Sequence, residues 1–187
     1  MRTISLFVLL VGATPARADD ARWRFGGDVE TTALTQEGIA LSLGVSAPGL
    51  PRWRFSLALA SHDVPDFQVE VSGANDRMYV TMPTALEAVA QYRHRTGAVA
   101  GARAGMIHLH FTRLGTFGID EEFDYGVTPF VGYEWAAHRH IYVHPWLGAM
   151  VTLVRQTHGE LPMQEADRTY ARWPALLRGG IAIGARW

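Results

Sequence analysis

At 187 residues the chain suits one domain with a sizeable core, or one small membrane barrel, and is too short for two ordinary domains. It contains no cysteine, which excludes a disulfide framework, a thiolate metal site and a cysteine nucleophile. Of its 17 basic residues two, Arg2 and Arg17, lie in the first 18 positions; the remaining 15 face 18 acidic residues, a formal charge of −3 that offers no basic footprint for nucleic acid.

Residues 1–18 differ from the rest. Arg2 precedes an apolar run from Ile4 to Gly12, and Ala16-Arg17-Ala18 supplies a small-x-small cleavage pattern before Asp19-Asp20. The pattern predicts a signal peptide cut after Ala18, leaving residues 19–187 as the mature domain. The apolar run is well short of the roughly 20 residues a spanning helix needs.

Beyond that point alternation with a period of two dominates, so the elements are read as strands. The first places Trp23, Phe25, Val29 and Thr31 on one face and Arg22, Arg24, Asp28, Glu30 and Thr32 on the other. The second, about 38–47, sets Ile39, Leu41, Leu43 and Val45 against Ala40, Ser42, Gly44 and Ser46. The third, 52–62, sets Trp53, Phe55, Leu57 and Leu59 against Arg52, Arg54, Ser56 and Ala58. The fourth, about 78–93, has Val80, Met82, Leu86, Ala88, Ala90 and Tyr92 outward and Tyr79, Thr81, Glu87, Gln91 and Arg93 inward, with a distortion predicted at Pro83.

In the fifth, 98–112, Ile107, Leu109 and Phe111 are read as outward and His108, His110 and Thr112 as inward. That phase puts Arg103 on the oily face, so a bulge or register change is expected in Gly101-Ala102-Arg103-Ala104-Gly105. The sixth, 123–135, sets Phe123, Tyr125, Val127, Val131, Tyr133 and Trp135 against Asp124, Gly126, Thr128, Gly132 and Glu134. The seventh, 141–154, sets Ile141, Val143, Leu147, Val151 and Leu153 against Tyr142, His144, Trp146, Gly148 and Thr152. The eighth, Leu177 to Trp187, turns Ile181, Ile183 and Trp187 outward and Arg178, Ala182 and Arg186 inward.

The connections alternate in length. Those at 48–51, 94–97 and 136–140 are short; those at 63–77, 113–122 and 155–170 are longer and polar, and only the first, 35–37, breaks the pattern. Outer-membrane barrels show this asymmetry, with tight periplasmic turns and longer external loops. Trp23, Trp53, Tyr92, Trp135 and Trp187 fall outward at the strand ends assigned to the periplasmic side, which predicts an aromatic girdle. The expected fold is all-β, an eight-stranded antiparallel up-and-down transmembrane barrel.

In its leader, strand plan and final segment Leu177 to Trp187 the chain resembles the small eight-stranded outer-membrane barrels of Gram-negative bacteria, of the OmpA-transmembrane or OmpX type. The resemblance implies an outer-membrane location, contact with lipid and lipopolysaccharide, and delivery to the barrel-assembly machinery through the closing strand. The class includes adhesins, structural proteins and a few lipid-modifying enzymes, so fold does not choose among them.

Eight strands enclose a lumen just wide enough for side chains, which argues against an open pore. Arg24, Asp28, Glu30, Arg54, Glu87, Arg178 and Arg186 are expected to fill it as a paired network, with Asp28 and Glu30 as partners of Arg178 and Arg186. His108 and His110 share a face, and folding the fifth and sixth strands about their loop is expected to bring Asp124 near His110. That group has the makings of a general base or, with its carboxylate, a zinc site. The lipid A deacylase and palmitoyltransferase enzymes among small barrels carry a histidine with a serine; this chain is similar only in His108 and His110, with His110 standing where the serine would be.

Two further features concern the external side. The stretch 62–77 alternates Phe67, Val69 and Val71, as a strand projecting above the membrane would. Asp63, Asp66, Glu70, Asp120, Glu121, Glu122, Glu160, Glu165 and Asp167 gather in the external connections, where divalent cations bridge lipopolysaccharide phosphates. The preferred reading is a structural or surface-interaction barrel with no cofactor and no catalytic activity. A lipid-modifying enzyme using His108, His110 and Asp124 is the second, and a soluble periplasmic ligand-binding barrel the third.

Overall fold

A computed structural model describes residues 22–64, 78–113, 119–159 and 175–187. The leader, the Phe67–Val71 alternation and the acidic residues Asp66, Glu70, Glu160, Glu165 and Asp167 lie outside the described residues. The alternating segments form β1 (Arg24–Glu30), β2 (Ile39–Ser46), β3 (Trp53–Asp63), β4 (Met78–Arg93), β5 (Ala98–Arg113), β6 (Ile119–Tyr133), β7 (Trp135–Ala136), β8 (Ile141–Gly159) and β9 (Ala175–Arg186). One five-residue helix, α1 (Thr31–Thr35), follows β1.

β1 to β6 pair antiparallel in chain order, β6 and β7 both pair with β8, β8 pairs with β9, and β1 pairs with β9, which closes the ring. β7 continues β6 for two residues after Glu134, so the wall has eight strands. Closure gives every wall strand a partner on both sides, which is what a sheet needs to cross lipid without an open edge. Phe25 and Trp187 complete the seam by exchanging both backbone hydrogen bonds at 3.0 Å. The short connections lie at one end of the ring, the turn end; the other is the loop end. At the turn end Gly97 sits at φ 98°, where a Cβ would strike the Glu134 carbonyl, so the tight 94–97 turn depends on glycine.

The outer wall carries an apolar band. Leu43, Leu57 and Val131 are 73%, 64% and 62% exposed, and Leu59, Leu86, Leu147, Ile181 and Ile183 continue the surface around the ring. On β6 the band runs from Tyr133 to Phe123, ten steps along the strand. At about 3.3 Å per residue and a tilt of about 40° that is a height of about 25 Å, the apolar thickness of an outer-membrane barrel.

Above the band the polarity inverts. His108, His110 and Glu121 face outward, while Val80, Met82, Ile107, Leu109, Phe111 and Met150 fill the lumen as a buried cluster. Polar outside and apolar inside is how a barrel standing in water is built, so the loop-end section of β4 and β5 rises clear of the band, while β6 keeps Glu122 and Asp124 buried beside the cluster.

This inversion corrects several expectations. In β5 the odd-numbered residues face inward throughout, so Ile107, Leu109 and Phe111 are core residues, and His108 and His110 lie outside. The pairing of β5 with β6 is unbroken from Ala98 to Thr112, so the bulge expected between Gly101 and Gly105 is not there. Instead Arg103 points into the lumen, with Gly101 and Gly105 beside it on the inner face. A Cβ at Gly101 would collide with the Phe130 ring, so glycine gives that aromatic its place.

The distortion expected at Pro83 is present. The β4–β5 register slips between Thr81 and Thr84, turning Val80 and Met82 inward on one side of the slip and Glu87 and Gln91 inward on the other. A second slip, on β8 opposite Tyr125 and Gly126, leaves Leu153 and Val154 both outward and brings Arg155, expected in a loop, into the wall. Glu121 and Glu122, likewise expected in a loop, belong to β6. β1 stops at Glu30, short of the expected Thr31 and Thr32, because α1 turns the chain back: Gly38 N–H donates to the Ala33 carbonyl at 2.9 Å and Asp63 N–H to that of Gln36 at 2.9 Å.

Candidate functional site

Two groups of polar residues stand out, one in the lumen and one on the outer wall. The lumen group is layered. Nearest the turn end, Glu134 accepts from Arg93 at 2.9 Å and also from Arg186. Next, Asp28 pairs with Arg54 at 2.9 Å and accepts from the Tyr142 hydroxyl at 3.0 Å, while Arg54 also reaches Tyr142. In the middle, Glu87 holds Arg178 through two hydrogen bonds of 2.5 and 3.1 Å, and Arg178 also donates to Thr128 at 3.3 Å.

Arg103 sits against this middle layer, 3.6 Å from Glu87 and 3.9 Å from Glu30. Its guanidinium lies over the Trp146 ring at 3.9 Å, a cation–π contact in which a weakly hydrated planar cation is stacked rather than solvated. The Trp146 indole N–H donates to Glu30 at 3.3 Å. Toward the loop end Asp124 accepts from Arg155 at 2.8 and 3.1 Å and from Thr152 at 3.2 Å, with Glu122 on the same arginine.

The structure therefore gathers Asp28, Glu30, Arg54, Glu87, Arg178 and Arg186 in the lumen, but with other pairings than expected. Arg178 meets Glu87 rather than Asp28 or Glu30, and Arg186 meets Glu134. Arg24 is half-buried at the turn end. Arg103, which the strand phase predicts on the outer face, is a member of the network, and Tyr142 and Glu134, predicted inward, join it as well. His144 lies in the lumen near Phe130, remote from the other group.

The outer-wall group is His108, His110 and Glu121. His108 and His110 are two apart on β5 and so share a face, and Glu121 is the direct cross-strand partner of His110 on β6. Both imidazole Nε2 atoms converge on one carboxylate, at 3.7 Å from His108 and 3.4 Å from His110. His108 lies flat on Phe123, with ring centroids 4.1 Å apart and planes 6° from parallel, and edge-on to His110 at 4.5 Å. Phe123 fixes the first ring, and the first ring orients the second.

Asp124 does not join them. It neighbours Phe123 and so points to the opposite side of β6, where Arg155 and Thr152 occupy it. The group His108, His110 and Asp124 expected from the sequence is not assembled, and Glu121 takes the carboxylate's place. Carrying the alternation of β6 two residues back from Phe123 would have found it, since Glu121 shares that face.

The five aromatics expected as a girdle all lie at the turn end. Trp23, Trp135 and Trp187 are exposed and Trp53 packs on Tyr92 at 5.5 Å between ring centroids. Phe123 and Tyr125 lie on the outer face of β6 toward the loop end, and Tyr79 on that of β4 beyond them.

No family model matches the chain, and no curated protein matches it. Among solved structures it is similar to a major outer membrane protein from Thermus thermophilus, with a TM-score of 0.52 at 10% identity over 89% of this chain and 100% of that one. It also overlays on Neisserial surface protein A, with a TM-score of 0.46 at 10% identity over 88% of this chain and 95% of that one. Together with the closed ring, the first similarity establishes the fold: an antiparallel up-and-down β-barrel of the kind found in outer-membrane proteins.

Proposed function

We propose that this protein is an exported, integral outer-membrane barrel with a structural or surface-interaction role and no diffusion pathway through its lumen. The observation that carries this reading is the filled interior. Arg103 and its partners Glu30, Glu87 and Trp146 occupy the middle of the ring, and the Val80, Met82, Ile107, Leu109, Phe111 and Met150 cluster closes it toward the loop end. The apolar outer band supports a lipid surrounding over a soluble ligand-binding barrel, since a barrel in water would expose Leu43, Leu57 and Val131 at a cost of about 1.5–3 kcal/mol per side chain. Lipopolysaccharide and the barrel-assembly machinery are its expected contacts, and the catalytic reading loses support because its carboxylate, Asp124, is engaged in the lumen.

Planar-bilayer recording tests the closed lumen. The folded protein is expected to insert without discrete ohmic steps, and Glu87→Gln with Arg103→Ala, which unpacks the middle layer, is expected to be the form that leaks. Steady single-channel steps from the unmodified barrel would overturn the reading.

A further inference from the structure

We propose that His108, His110 and Glu121 form a three-ligand site for a divalent transition-metal ion of the zinc class, on the outer wall at the loop-end edge of the apolar band. This goes beyond a structural role, because it gives that surface a specific ligand.

The three donors are of the right chemistry. Two imidazoles and a carboxylate are a ligand set for zinc and its neighbours, with one position left open for water or an oxygen ligand, whereas calcium and magnesium take oxygen donors. The geometry agrees. Ligand atoms about 2.0–2.2 Å from a tetrahedral metal stand about 3.3–3.6 Å from one another. The two nitrogens lie 3.4 and 3.7 Å from the Glu121 oxygens, and all three donor atoms fall within 4.8 Å of each other.

The two imidazole nitrogens have no other partner among the described residues. An imidazolium bonded to a carboxylate would close to about 2.7–2.9 Å. Here both Nε2 atoms are buried from solvent and neither makes a hydrogen bond. A buried nitrogen without a partner costs about 1–3 kcal/mol, and two aimed at one carboxylate share a partner that a cation would supply. Preorganisation supports the same conclusion: β-sheet register sets His110 opposite Glu121, and Phe123 holds the His108 ring. The side chains are only partly covered, Glu121 being 44% exposed, so an ion can reach the site from outside the barrel.

The test is zinc titration of the untagged full chain, folded in detergent micelles and freed of metal with a chelator. Binding is followed by calorimetry and by counting zinc per chain in the native mass spectrum. The expected result is one zinc per barrel, with affinity lowered at least about tenfold in each of His110→Ala and Glu121→Gln. The matched control is His138→Ala, from the exposed His138–His140 pair at the turn end, which is expected to leave binding unchanged.

Absence of zinc binding by the unmodified barrel would overturn the proposal. So would equal binding in Glu121→Gln and His110→Ala, or loss of the ion in His138→Ala instead. Gel mobility with and without heating reports whether each variant is folded. Glu121→Gln changes no volume and sits on the outer wall, so it separates ligation from folding.

Discussion

Substituting Glu87 tests the lumen network most severely. Its carboxylate takes both hydrogen bonds from Arg178 and lies 3.6 Å from Arg103, and its side chain is 4% exposed. Glu87→Gln keeps the shape but takes the paired carboxylate from two buried guanidiniums, with Glu30 still 3.9 Å from Arg103. Removing one partner of a buried pair costs about 3–5 kcal/mol. At about 1.36 kcal/mol per tenfold, that is a drop of about two to four orders of magnitude in the folding equilibrium.

The companion variant Glu87→Leu with Arg178→Met replaces the pair by apolar side chains. It is expected to recover most of the loss, because the desolvation of both charges disappears with their attraction. The assay is urea unfolding in lipid vesicles, followed by tryptophan fluorescence and by the shift in gel mobility between folded and unfolded barrel. A loss below about 1 kcal/mol in Glu87→Gln, or a double variant as unstable as the sum of its singles, would refute the assignment of this pair as the centre of the lumen.

Three further outcomes follow from the same geometry. Ile107→Ala is expected to destabilise the barrel by about 2–5 kcal/mol, since Ile107 is fully buried, whereas the neighbouring outward His108→Ala is expected to cost less than about 1 kcal/mol; paired urea titrations distinguish them. Gly101→Val places a branched side chain against the Phe130 ring and the Ala90 carbonyl, and is expected to reduce the yield of folded barrel seen as the heat-modifiable band. Arg103→Lys is expected to destabilise despite keeping the charge, because a compact ammonium does not stack on Trp146 as the planar guanidinium does; thermal unfolding in micelles reads the difference.

Much of the wall was legible because the strand period is a strong signal. β2, β3, β6 and β9 keep the expected faces, and Pro83 marks a true slip in register. The error in β5 came from equating apolar with lipid-facing. Ile107, Leu109 and Phe111 are apolar because a narrow ring must be packed beyond the apolar outer band, and His108 and His110 are polar because they face outward there. The misplacement of Arg103 has the same origin: reversing the phase of β5 puts it on the inner face with no bulge. Pairings within the lumen were beyond reach, since which arginine meets which carboxylate depends on the stagger of the strands, as Arg178 with Glu87 shows across the barrel. The sequence pattern places Glu121 in a loop because the polar composition around it hides four more residues of strand, 119–122.

The central claim, that the outer wall of β5 lies in lipid up to the histidine pair and its inner wall never does, is tested most directly by spin labelling. The chain has no cysteine, so single labels can be placed at Ala100, Ala102, Ala104 and Met106 on the outer face and at Val99 and Leu109 on the inner. Accessibility to oxygen and to a water-soluble relaxation agent is then measured in vesicles. The account predicts oxygen-dominated relaxation at the even positions, shifting toward the water-soluble agent for a label at Thr112, with Val99 and Leu109 shielded from both. Oxygen-rich relaxation at the odd positions, or free access of the water-soluble agent along Ala100 to Ala104, would contradict it.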